Sequence, residues 1–311
     1  MDTFLAPFEH AVLNHVYHAL RVGIDNGPCH HLGQNSSATR PGLAMAFVQE
    51  ACLSLGHSPF WQSDSIARQF TSAFLYLLTA TTFSYLFFGI VFYQLNFDVA
   101  SARDHKFKPG QIRGEISQSL LAILFMSFLT APIVLAQAHG YSKIYPFGKA
   151  PMWYEGLQMI LFVGFNDTCV YWLHRLFHVP VLFRWIHKKH HQYVDTACTE
   201  IHSANVNRYI TPTPFSAFAF DPLEAMIMSL PIYSFSFLMP MSNVMQLFVF
   251  SAAYIWTFLL HDDRTQFHTV HHKNTNYNFG QYTTLWDHWA GTSVDADAFL
   301  AQAQYQHKEK S

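Results

Sequence analysis

The sequence predicts an all-α fold: a multi-pass membrane bundle carrying a histidine-rich helical cap. Three observations predict it. Half of the 311 residues are apolar and aromatics reach 17% with 30 Phe, while only 12% are charged, about half the charged share of an ordinary soluble domain. Several uncharged runs are long enough to cross a hydrocarbon core about 30 Å thick. Histidines gather in three ordered clusters after those runs.

The elements follow in order. Residues 1–70 form an N-terminal region, with an amphipathic helix expected over Phe4–Val22, a Gly, Pro, Ser and His mixture around Asp25–Pro41, and a weakly helical piece over Gly42–Leu55. His30 and His31 lack a third ligand at helical spacing and read as solvent-exposed. The first transmembrane hairpin and its loops occupy 71–155, with Ser72–Leu95 as the first span and Ser119–Ala138 as the second, Pro132 being tolerable inside a membrane helix. Arg103, Lys106, Lys108 and Arg113 place the intervening loop in the cytosol. Residues 156–293 form the catalytic region: Gly156–Leu173 crosses back, and the apolar pair Pro222–Met239 and Val244–Leu260 turns at the PMSN of Pro240–Asn243 as a hairpin whose ends share the cytosolic side. Residues 294–311 are a polar tail, whose final KEKS resembles a dilysine signal out of its usual register.

Composition also excludes. Net charge is −2 and no long basic run occurs, so a nucleic-acid partner has no electrostatic footprint here. Four dispersed cysteines imply no disulfide framework, and the first twenty residues lack the pattern of a cleaved leader.

The histidine stretch Asp167–His191 organises the chain. His174 and His178 leave one helix face a turn apart, Pro180 ends that helix, and His187, His190 and His191 follow as HxxHH. The box returns as His268, His271 and His272, after a lone His261 that emerges at the same membrane level. A solvated surface has no reason to fix such spacing, so the set reads as metal ligands. More histidines than the three or four of one zinc site imply a dinuclear metal site held by the cap. Imidazole alone does not name the metal, but attack on an unactivated C–H bond of a greasy substrate needs a redox metal with O2. Two Fe ions are therefore expected, with Zn able to occupy the site in a purified sample. Asp262, Asp263 and Asp287 are candidates to orient ligand imidazoles through their second nitrogen. Tyr282 and Trp286 could shape the substrate cavity or simply pack.

With HKFKPGQIRGEI (105–116), GYSKIY (140–145), DTCVYWLHRLFH (167–178), HKKHH (187–191), TPTPFSAFAFDPLEA (211–225), IWTFLLHD (255–262), and HTVHH with NYNFGQYTTLWD (268–287), the chain resembles the fatty acid hydroxylase and sterol desaturase superfamily, its sterol C5 desaturase branch above all. The resemblance covers roughly 97–292. It implies an endoplasmic reticulum enzyme, its histidine boxes facing the cytosol, that uses O2 and electrons from NAD(P)H through cytochrome b5 or its reductase to introduce the C5–C6 double bond of a sterol. It also implies the nine histidines above as iron ligands. Two departures stand out. Asp221 and Phe218 occupy positions where the superfamily usually has histidine, so Asp221 is an expected carboxylate ligand. The stretch 195–210 is extra and contains His202, and it reads as a surface loop or a retained intron. Two alternatives stay open: a hydroxylase or C4-methyl oxidase acting on another sterol, terpenoid or lipid, and a zinc-binding membrane protein. The second predicts ionisable residues facing one another within the spans, which these spans nearly lack.

Overall fold

The computed structural model describes residues 8–26, 64–96, 110–188, 190–191, 213–260 and 266–299. Gly42–Leu55, the histidines 30, 31, 202 and 261, the carboxylates 262 and 263 and the stretch 195–210 lie outside them. Among the described residues the regular structure is helical apart from one two-stranded ladder. They divide into two compact units, Met1–Leu77 with Ala131–His139, and Leu78–Thr130 with Gly140–Ser311.

The helices are α1 (Asn14–Asn26, entered through a π turn at Glu9–Leu13), α2 (Ile66–Asn96), α3 (Gln111–Ala138) and α4 (Met152–Phe177). Then come the short α5 (Pro180–Leu182), α6 (Pro222–Leu238), α7 (Asn243–Leu260), α8 (Gln266–Lys273) and α9 (Leu285–Trp289). In the first unit Ala73, Ala131 and Val134 form the core, small residues that let helices approach closely. Tyr17 is hydrogen-bonded to Ser72 at 3.2 Å, and Arg68 lies 4.8 Å over the Tyr17 ring.

Among the described residues three helices are long and apolar enough to cross a membrane: Ile66–Leu95, Gln111–Ala138 and Asn243–Leu260. Large apolar side chains such as Phe83, Phe87, Phe125, Phe128 and Phe248 stand on their outer surfaces, as expected where lipid replaces water. Pro222–Leu238 is apolar but shorter. The third expected crossing, Gly156–Leu173, forms a helix of sufficient length, α4, but buries Glu155, Gln158, Asn166, Asp167 and His174 along one side. That polar stripe is where the site is built.

The second unit has two functional ends. At one, β1 (Ile144–Tyr145) pairs in parallel with β2 (Met241–Ser242). Gln158 accepts from the Ser242 N–H at 2.9 Å and donates to the Tyr145 hydroxyl at 2.5 Å, so the turn between α6 and α7 is tied to the start of α4. Running away from this end, α4 delivers His174 to the other, while α6 starts there and returns. The hairpin reading of α6 and α7 thus holds.

At the histidine end, a 3-10 turn (Pro214–Phe218) is buried beneath α3 residues. Tyr85 and Ser119 both donate to the Phe215 carbonyl, at 2.8 and 3.0 Å, and Gln118 donates to that of Phe220 at 2.7 Å. Glu115, fully buried, accepts from Thr213 and from Gln111. A buried carboxyl in an apolar helix is expensive unless such donors surround it. Gly89 is required here, since a Cβ would come within 2.8 Å of the Phe215 ring.

Replacing Glu115 with Ala strands the Thr213 hydroxyl and the Gln111 amide without their acceptor. The expected cost is about 1–3 kcal/mol, read as a lowered unfolding temperature in detergent, with Glu115→Gln losing less.

Candidate metal centre

Imidazole nitrogens converge in two groups, His174, His178, His187, His191 and His271 in one, and His190, His268 and His272 in the other. All except His178 are buried. The spacing seen in the sequence explains the convergence. His174 and His178 project from the last turn of α4, where the chain breaks at Pro180. The π turn Phe183–His187 then brings the HxxHH box back toward α4, and α8 presents His268, His271 and His272 from one short helix.

Hydrogen bonds to the outer nitrogens aim the inner ones. The Nδ1 atoms of His174 and His271 face the carbonyls of Phe279 at 3.0 Å and Tyr277 at 2.7 Å. A carbonyl can only accept, so each Nδ1 carries the proton and each Nε2 presents its lone pair inward. His187 Nδ1 lies 2.7 Å from the buried Glu224 carboxylate, which sets the same tautomer. Its Nε2 is 3.0 Å from His178 Nε2 and 3.0 Å from His191 Nε2. In the second group His272 Nε2 and His268 Nε2 are 2.9 Å apart.

These contacts test the fit of a metal. Metal–imidazole bonds of about 2.0–2.1 Å set adjacent nitrogens roughly 3 Å apart on one ion, the spacing found here. His271 Nε2 is buried without a hydrogen-bond partner among the described residues. Buried lone pairs pointing at one another are costly unless a cation collects them. The donor set therefore fits a pair of transition-metal ions, and its all-imidazole character suits iron, zinc or copper alike.

Electrostatics agree. Burial first, then neighbouring imidazoles, pushes the pKa of His178, His187, His271 and His272 well below the ordinary histidine range and that of His191 down to about 3. The rings are neutral at physiological pH, the form that ligates.

The loop Tyr277–Thr284 supplies the two carbonyls and is itself held by carboxylates. Asp287, fully buried, accepts from Phe279 N at 2.9 Å, Gly280 N at 2.8 Å and Thr292 Oγ1 at 2.8 Å. From α4, Asp167 accepts from Tyr282 N at 2.8 Å and from the Thr283 hydroxyl. Gly280 cannot carry a side chain, because a Cβ would lie 2.3 Å from the Thr283 carbonyl. Asn278 adopts φ 58° and locks the loop to Val294 through its Oδ1. Tyr282 and Trp286 pack against α4, accepting from Asn166 and donating to Thr168 respectively.

Eight of the nine expected histidines thus come together, and the ninth, His261, lies outside the described residues. Asp221 is placed elsewhere. It is the N-cap of α6, its carboxylate accepting from Leu223 N at 3.1 Å, and neither histidine group includes it. An extended residue just before a helix-starting Pro is well suited to capping, and that geometry directs the carboxylate along α6. Among the described residues the carboxylate that reaches the histidines is Glu224, one turn further on, which sequence reasoning missed although an acidic residue opening an apolar helix was a signal. Asp287 accepts from the backbone N–H groups of Phe279 and Gly280 rather than from an imidazole nitrogen, and so holds the loop whose Phe279 carbonyl faces His174. Phe218 sits in the aromatic core with Tyr85, Tyr254 and Phe258, while Phe220 stacks on His190 at 4.4 Å between centroids.

The fold and histidine geometry define a helical membrane protein with a buried polyhistidine cluster able to hold metal. Comparison with known proteins makes this specific. The fatty acid hydroxylase family matches residues 159–292, the region that holds every histidine of both groups. Delta(7)-sterol 5(6)-desaturase erg3A of Aspergillus fumigatus is 32% identical over 278 residues, 83% of this chain and 74% of that protein. The Delta(7)-sterol 5(6)-desaturase of Leptosphaeria maculans is 37% identical over 247 residues, 75% of this chain and 64% of its own. Aspergillus fumigatus erg3B, of the same description, is 36% identical over 241 residues, 74% and 67% of the two chains. The chain belongs to the fatty acid hydroxylase family, among its sterol desaturases. No solved structure matches it significantly.

Two outcomes are expected. Glu224→Ala removes the partner of His187 Nδ1 and should weaken metal affinity by about 10–100-fold, measured by competition with a chelator, with Glu224→Asp recovering part of it. Acid should release metal and destabilise the protein together. A histidine whose folded pKa is depressed leaves the unfolded chain binding more protons below about 6.5, so stability falls as pH drops through that window, by about 1.4 kcal/mol per pH unit for each such histidine. For His191 the window runs down to about 3. Metal content and unfolding temperature measured from pH 7.5 to 5 should decline in parallel.

Proposed function

We propose that this chain is an O2-dependent di-iron sterol desaturase that introduces the C5–C6 double bond into a delta-7 sterol, with electrons from NAD(P)H delivered through cytochrome b5. The observation that carries the reading is the convergence of eight histidines in two adjacent groups, within a chain whose curated relatives are described as Delta(7)-sterol 5(6)-desaturases. His174, His178, His187, His190, His191, His268, His271 and His272 are proposed to hold two irons, with His261 completing the set.

Bound iron supplies the ability to activate O2 for removal of hydrogen from an unactivated carbon. The reaction balances when two hydrogens leave the sterol and two further electrons and protons arrive from the donor, reducing O2 to water. The protein's residues do the rest. Phe279 and Tyr277 carbonyls and Glu224 keep His174, His271 and His187 in one tautomer. Phe177, Phe183 and Phe279 pack around the rings and limit water. Substrate placement decides whether a second hydrogen is lost or oxygen is inserted. The enzyme is proposed to lie in the endoplasmic reticulum membrane with the histidine end in the cytosol, in keeping with the basic loop 103–113 and with Arg175 and Arg184 at that end.

Phe218 and Asp221 favour a second reading, a hydroxylase or C4-methyl oxidase acting on another sterol or terpenoid. Both replace customary histidines, and the structure turns one into core and the other into a cap. The test is the sterol profile of a fungal strain lacking its own C5 desaturase. With this chain expressed, 5,7-diene sterols should return, and with His268→Ala they should not. Accumulation of 7-ene sterols alone, with the protein present in membranes, moves the assignment to the second reading.

A further inference from the structure

The proposed reaction draws two electrons from outside, so some surface at the histidine end must admit a donor. The gathered histidines are not equally accessible to one. Seven of the eight are buried, and His178 is the one that is partly exposed. Its Nε2 lies 3.0 Å from His187 Nε2, which joins it to the cluster. Among the described residues, His178 is therefore where the cluster comes nearest to the surface.

The chain around His178 carries one sign of charge. From 168 to 191 it has Arg175, Arg184, Lys188 and Lys189 and neither Asp nor Glu. Arg175 precedes His178 by three residues and shares that side of α4. Its guanidinium donates to the Tyr171 hydroxyl at 3.2 Å and lies 5.7 Å from the Trp172 ring, contacts that hold it in place without neutralising it. Arg184 follows Phe183, whose ring packs on His178 at 5.4 Å between centroids. Arg175 and Arg184 are exposed and Lys188 partly so, and none of the three forms an ion pair with a described residue. Next to Arg184, Trp185 is 76% exposed. An exposed indole flanked by uncompensated cations matches the centre of a protein interface, where Trp and Arg carry most of the binding energy.

We infer that Arg175, Arg184 and Trp185, grouped around the partly exposed His178, form the docking surface for an acidic one-electron haem protein, with His178 as the ring nearest the donor. This rests on the reading of the chain as an oxidase fed by external electrons. Each docking event oxidises one ferrous haem to ferric and passes one electron inward. Two events supply two electrons, which, with two protons and the two hydrogens taken from the substrate, reduce one O2 to two waters. Opposite charges speed such an encounter and set its orientation more than they tighten it. The complex is accordingly weak, quickly reversed and sensitive to salt.

The experiment uses the full metal-loaded chain in phosphatidylcholine nanodiscs and the soluble haem domain of cytochrome b5, whose binding and oxidation are followed at low and high salt. Arg175→Glu combined with Arg184→Glu should weaken binding on the order of 10-fold at low salt and slow haem oxidation to match. The gap between parent and variant should narrow at high salt. Trp185→Ala should weaken binding at both. Metal content and reduction by dithionite should equal the parent's in each variant, and Lys149→Glu, an exposed cation at the β1 end, should change nothing. Unchanged binding in the double variant and in Trp185→Ala overturns the proposal. So does a parent whose binding does not weaken with salt, or one that forms diene product in cells yet binds no haem domain. A parent that forms no product and takes no electrons from dithionite fails the oxidase reading itself, and the docking surface with it.

Discussion

The structure depends on one electrostatic constraint: eight imidazoles brought together at an apolar membrane face, all but one of them buried. As cations they would repel one another, and burial already forbids the charge. As neutral rings they aim lone pairs at one another across about 3 Å, which a cation of small radius resolves. A bound metal would supply the attraction that the side chains alone lack, and among the described residues Glu224 is the carboxylate that touches one of these rings directly.

Much of the remaining architecture serves to aim those rings. Two backbone carbonyls, from Phe279 and Tyr277, set tautomers at His174 and His271. The loop that bears them is fixed by Asp287 and by Asp167 from α4, and Gly280 permits the tight approach that Asp287 requires. On the far side, Glu115, Ser119 and Tyr85 hold the stretch after Thr213, and Phe220 from that stretch lies flat on His190. Polar residues inside the bundle thus act at a distance from the histidine cluster, each through a backbone group or one ring. This is why an apolar protein tolerates them.

The helices and the ligand set were legible in the sequence because both are periodic. Uncharged runs announce spans by length, and HxxxH or HxxHH announces a shared face by the helical repeat, so α2, α3, α6, α7 and the two boxes could be written down without coordinates. What supports the ligands was less legible because it is not periodic. Glu224 and Asp167 act across the fold, on His187 and on the loop at Tyr282, and no local spacing links them. Asp221 shows the converse. Its place before Pro222 invited a ligand reading by resemblance, whereas the local chemistry of a residue preceding a helix-starting proline made it a cap.

The central claim is that the histidines form two metal positions, and the most direct test is the metal stoichiometry of the chain purified from iron-supplemented cells in mild detergent. Two iron atoms per polypeptide, both lost in a His187→Ala, His268→Ala double variant that remains helical, is the result expected. One tightly held metal, or none in a folded protein, would contradict the account.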